Sequence, residues 1–129
     1  MFSRATKVML ALMLAVGSSV FVSGSASAAV DLVIKAKPGD QWSPAHPIVR
    51  RGGDGKVVVK WKNPRNRVHD IKSTNEGKNW TLKRKTLRKG DAARKTFKKN
   101  GNYYFRCTLH STKSGGGFVG MVGIVHVRN

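Results

Sequence analysis

The sequence predicts an all-β domain, a sandwich or barrel of short strands, on three observations. Apolar residues alternate with polar ones in short segments; Gly, Pro, Asn and Asp clusters interrupt those segments at regular intervals; and neither a long helical period nor an internal repeat is present. Asp31 to Ala36 is the first β-rich stretch, and Pro38-Gly39-Asp40 turns the chain after it. Ile48 and Val49 begin a second strand, stopped by Gly52-Gly53-Asp54-Gly55. Lys56 to Trp61 places Val57, Val59 and Trp61 on one face and Val58, Lys60 and Lys62 on the other, before Asn63-Pro64-Arg65-Asn66 breaks it. Val68 to Lys72 is short and carries His69. Ser73 to Lys89 is polar and basic, with Trp80 and Leu82 as its apolar anchors. A strand over Lys95 to Lys98 leads into Asn100-Gly101, a tight-turn signal. Tyr103 to Thr108 follows, then a Ser/Gly-rich loop over Ser111 to Gly117, and Met121 to Val127 is the last strand.

The 129 residues divide unequally. Arg4 and Lys7 precede an apolar run from Val8 to about Val22, and small residues ending in Ala26-Ser27-Ala28 follow. That order is the pattern of a secretory signal peptide over residues 1–28, with an uncleaved membrane anchor as the alternative. Residues 29–129 are enough for one compact domain and too few for two. All six acids and all but two of the 25 basic residues lie in that domain, so it holds nearly all of the formal charge of +19.

Exported proteins of this size often use paired cysteines, yet Cys107 stands alone. Burial, intermolecular pairing or metal coordination can each occupy such a thiol. Composition alone favours burial; the neighbourhood favours a metal. In Tyr103-Tyr104-Phe105-Arg106-Cys107 the alternation puts Tyr103, Phe105 and Cys107 on one apolar face, so the thiol points into the core at a strand end. His110 comes three residues later, and Met121, the one methionine after the leader, follows the glycine-rich stretch. Thiolate, thioether and imidazole donors together suit copper. A trigonal copper site also needs a second imidazole from a distant strand, and His69, just after the Asn63–Asn66 break, meets that need. Met121 as an ordinary core residue stays open. His46 and His126 have no partners in the pattern, and His126, opposite in parity to Met121, Val125 and Val127, is expected to face solvent.

Gly101-Asn102-Tyr103-Tyr104-Phe105-Arg106-Cys107-Thr108-Leu109-His110 resembles the copper-binding signature of the plastocyanin and pseudoazurin group of cupredoxins. Gly120-Met121-Val122-Gly123-Ile124-Val125 is similar to that group's axial-methionine strand, and Val57 to Pro64 with Val68-His69-Asp70 to the strand and loop bearing its first histidine. Gln41-Trp42-Ser43-Pro44 also fits. The likeness spans nearly all of residues 29–129, most weakly over Ser73 to Lys95. It implies a Greek-key β-sandwich or barrel of about seven to eight strands. It also implies one Cu(I)/Cu(II) ion, with His69, Cys107 and His110 in the trigonal plane, Met121 on the axis, and His110 as the edge through which electrons leave. Two departures stand out. Ten residues, Ser111 to Gly120, separate His110 from Met121, where compact members have only a few. Asp70 stands where the group often has Asn; by resemblance its side chain bonds Thr108 and ties the ligand loops, and its charge is expected to lower the potential.

The expected function is therefore one-electron transfer between redox partners by a periplasmic or extracellular monomer, with no enzymatic activity of its own. No paired carboxylates or Ser/His/Asp spacing suggest otherwise. An extracytoplasmic Cu(I) carrier or buffer is the alternative, and a metal-free polyanion-binding module is a third reading. Lys83 to Lys99 contains nine basic residues against Asp91. That excess suits an acidic docking face on a redox partner or an anionic envelope surface, and equally the solubility of an exported protein; it is read against nucleic acid because the aromatics Trp61, Tyr103 and Phe105 fit core positions.

Overall fold

The computed structural model describes residues 28–74 and 80–129. The leader expected over 1–28 falls almost wholly outside these residues, as do residues 75–79 of the basic middle stretch. Nine strands are present among the described residues and no helix: β1 (Leu32–Lys37), β2 (Gln41–Ser43), β3 (Ile48–Arg50), β4 (Val57–Lys62), β5 (His69–Ser73), β6 (Lys85–Leu87), β7 (Ala92–Phe97), β8 (Gly101–Ser114) and β9 (Gly117–Arg128). They form two mixed sheets, ordered β2-β1-β4-β7 and β3-β9-β8-β5-β6. This is the all-β sandwich that the alternation predicted.

The core lies between the sheets. Ile34, Ala36, Val57, Val59, Trp61, Ala93 and Phe97 come from the first sheet; Ile71, Leu87, Tyr103, Phe105, Cys107, Met121, Val125 and Val127 come from the second. Trp61 and Phe105 meet edge to face at 5.4 Å between ring centroids, and each large side chain contributes about 1.5–3 kcal/mol by leaving water. Gly123 faces Phe105 across the β8–β9 ladder, and its missing side chain is the space the Phe105 ring occupies.

Four boundaries differ from expectation, each for a physical reason. β2 and β6 are three-residue edge strands, too short to show a period, and they raise the count above seven or eight. β7 begins at Ala92 rather than Lys95: two alanines carry no β signal, but Ala93 pairs with Trp61 and leaves room for the indole. The expected loop over Ser111 to Gly117 is instead mostly strand. β8 and β9 stay paired from Ser111↔Gly120 out to Ser114↔Gly117, with Gly115-Gly116 as a two-residue turn and Gly115 at φ 59°. This arm is mostly exposed, so nothing imposes an apolar alternation on it.

Candidate metal centre

The site begins as an interruption of the β8–β9 ladder. Arg106 pairs with Val122, and Ser111 pairs with Gly120, so four residues of β8 oppose the single residue Met121 of β9. The surplus bulges out, and Cys107 and His110 are its two ends. Gly120 makes the bulge possible. Its φ is +101°, and a Cβ there would sit 2.6 Å from the His110 carbonyl oxygen. From the other side, Asn63, fully buried, closes the turn after β4. Its Nδ2 donates to the Arg67 and Leu87 carbonyls, each at 2.8 Å, and its Oδ1 accepts from the Arg65 amide at 3.0 Å. That closure delivers His69 to the first position of β5, beside the bulge.

Three donor atoms converge there. His69 Nδ1 and His110 Nδ1 are 3.1 Å apart, Cys107 Sγ is 3.4 Å from His110 Nδ1, and it is 4.0 Å from His69 Nδ1. The point equidistant from all three lies about 2.1 Å from each, within the span of bonds from a first-row metal to imidazole nitrogen and thiolate sulfur. Two imidazole nitrogens and a sulfur this close together can offer three lone pairs to one point, and a cation there would take up all three. The donor set therefore fits a metal ion. Burial, then His110 and Arg67, lower the His69 pKa against an upward pull from Asp40 and Asp70, which keeps the ring neutral and ready to donate. Burial raises the Cys107 thiol above its ordinary value, and a bound cation would favour its thiolate.

Asp70 fastens the two donor-bearing segments together. Its amide donates to Cys107 Sγ at 3.4 Å, while its fully buried carboxylate accepts from both the amide and the hydroxyl of Thr108. Arg84 Nε also donates to this carboxylate as an ion pair. Burial by itself pushes the Asp70 pKa up; the Thr108 and Arg84 bonds outweigh it and leave the carboxyl below its ordinary range.

No protein-family model matches the chain, and no curated protein sequence matches it. Solved structures do. A purple cupredoxin from Nitrosopumilus maritimus superposes with a TM-score of 0.56 at 24% identity, covering 76% of this chain and 100% of that one. A reduced amicyanin variant gives 0.57 at 21% identity, covering 75% and 81%, and a reduced Cu(I) amicyanin variant gives 0.59 at 22% identity, covering 80% and 87%. The chain has the cupredoxin fold.

Within this cupredoxin fold the structure gathers His69, Cys107 and His110, with Asp70 and Thr108 bonded behind them. Met121 lies opposite the bulge, fully buried. His46 is exposed and stands apart from the cluster. His126 is half-buried, and its Nδ1 lies 2.9 Å from Asn102 Oδ1, so it is less open to solvent than parity alone suggested. Sequence reasoning missed Arg84, Asn63 and Gly120 as parts of the site. Arg84 carries no distinguishing signal inside a basic run, whereas a glycine directly before Met121 was a usable sign of close backbone approach.

Proposed function

We propose that this cupredoxin-fold chain is an exported one-electron carrier, holding one copper ion with His69, Cys107, His110 and Met121. The observation that carries this reading is the convergence of two imidazole nitrogens and the sole cysteine sulfur on one point, at metal-bonding range from all three. Copper held by such donors supplies a one-electron couple. The chain's own part is to keep the donors still: Cys107 and His110 are pinned by the bulge, His69 by the Asn63 turn, and both segments by Asp70. Donors that do not move between oxidation states keep the reorganisation small. Met121, buried opposite the bulge, would add a thioether donor to the other three in this reading.

His69 and Cys107 are buried, whereas His110 is only half-buried and stands beside Leu109, which is 49% exposed. Electron exchange with a partner therefore runs at the His110 edge. The leader-like sequence of residues 1–28 supports an extracytoplasmic place, and the charge of +19 supports a partner with an acidic docking face.

The test is an optical spectrum of the Cu(II)-loaded protein, followed by ascorbate. An intense visible thiolate-to-copper band that ascorbate bleaches and reoxidation restores is expected. A protein with no such band, whose Cys107 still titrates with thiol reagents after loading, overturns the proposal.

A further inference from the structure

The outward face of the four-stranded sheet gathers cations in register. Pairing places Lys35 of β1 directly opposite Lys62 of β4, and Lys60 of β4 directly opposite Arg94 of β7. Lys37 continues the β1 row. The other outward positions are Gln41, Ser43, Val33, Val58, Ala92 and Thr96, none of them acidic. Asp31, at the far end of the row, uses its carboxylate to accept from the Val58 amide at 2.7 Å. Like charges directly opposite on adjacent strands disfavour one another, and this face carries two such pairs side by side.

The outer face of the five-stranded sheet also carries like-charged pairs. Arg106, opposite Lys72, lies over the Phe118 ring at 4.0 Å and donates to Ser111 Oγ; Arg128, opposite Arg50, donates to the Gly101 carbonyl and Asn102 Oδ1. Those guanidiniums, like that of Arg94, are engaged within the fold. The ion pairs described, Arg67–Asp40 and Arg84–Asp70, involve none of Lys35, Lys37, Lys60 or Lys62.

We propose that this lysine-bearing face docks on the headgroup layer of an anionic phospholipid membrane. Charge complementarity calls for a polyanion, and the entry of the chain selects a membrane among polyanions. Arg94 Nη1 lies 3.5 Å from the carbonyl of Ala28, so the chain enters the fold against this same face. The apolar run Val8 to Val22 lies immediately upstream in sequence. A segment of that character, kept as an anchor, would hold the domain at a bilayer, and export past one brings the domain to the same surface. The face also lacks outward aromatics on which the bases of a single-stranded nucleic acid could stack. Docked this way, the protein keeps β8, its arm and His110 on the other sheet, free for a partner.

The test is flotation of the full chain, recovered from an exporting host, with phosphatidylcholine vesicles and with vesicles containing phosphatidylglycerol. Binding to the anionic vesicles only, released by high salt, is expected. Replacing Lys35, Lys37, Lys60 and Lys62 by Gln should weaken that binding about tenfold or more. A control of equal charge, with Lys83, Lys85, Lys98 and Lys99 replaced by Gln, should keep most of it. Melting curves read folding: the face variant should melt no lower than the parent, because it relieves both like-charge pairs. The double variant Lys35→Gln/Lys62→Gln should show the same trend with less disturbance. Equal loss in the face variant and the control, or equal binding to both vesicle types, overturns the proposal. So does binding to polyglutamate or duplex DNA without binding to anionic vesicles, which assigns the face to another polyanion. Because the face includes none of His69, Cys107 or His110, the outcome is independent of the metal reading.

Discussion

Asp70 and Arg84 show how one residue's effect depends on its partner. A lone buried carboxylate beside a copper site stabilises the more positive oxidation state and lowers the potential. Here Arg84 stands against that carboxylate and offsets its charge. The two residues should therefore act with opposite sign when changed. Arg84→Gln leaves the carboxylate uncompensated and should lower the reduction potential of the copper-loaded protein; Asp70→Asn leaves the guanidinium behind and should raise it. Voltammetry of both variants decides this, and shifts in the same direction would show that charge is not the governing effect. Asp70→Asn should also cost about 1.5–3 kcal/mol of stability, since the ion pair with Arg84 is lost and the bonds from Thr108 lose their charge assistance at a buried position.

The β8–β9 hairpin is the element that makes the site. Its ladder is regular below Arg106 and again above Ser111, and the discontinuity between them holds Cys107 and His110. Gly120 is the residue that lets the two backbones come close enough for this. Gly120→Ala puts a side chain on a φ of +101° and a Cβ 2.6 Å from the His110 carbonyl, backbone that cannot swing aside as a side chain would. The expected result is a loss of about 1–3 kcal/mol together with a changed thiolate-to-copper band, because His110 must move. Unchanged absorption and an unchanged melting point would show that the bulge tolerates a side chain there.

For the whole molecule, the three clustered donors come from β5 and β8, two strands of one sheet, and a metal bound to them would join segments 38 and 41 residues apart in sequence. An ion that binds the folded chain and not the unfolded one stabilises the fold by mass action, by about 4 kcal/mol at a thousandfold excess over its dissociation constant. In a domain of this size that corresponds to a rise in melting temperature of more than about 10 °C. Calorimetry with and without copper, and with Cys107→Ser as the control that should lose most of the rise, measures it. A parent protein and a Cys107→Ser variant with the same copper-induced rise would place the binding elsewhere.

Alternation and turn residues sufficed to read the sandwich, because a strand buried on one face must repeat with period two. They also sufficed to place Cys107 inward, and one cysteine with three flanking donors narrowed the chemistry to a soft metal. Tertiary structure alone decided the rest. β2 and β6 exist because neighbouring strands offer hydrogen bonds, and β7 takes in two alanines because Trp61 needs the space. The Ser/Gly stretch after His110 is an arm rather than a loop because Ser111 to Ser114 find ladder partners in Gly117 to Gly120, which local sequence cannot announce. Arg84 meets Asp70, and Lys35 meets Lys62, across separations that no local pattern encodes. Periodicity records which side of a strand faces the core; only the register between strands determines which side chains stand face to face.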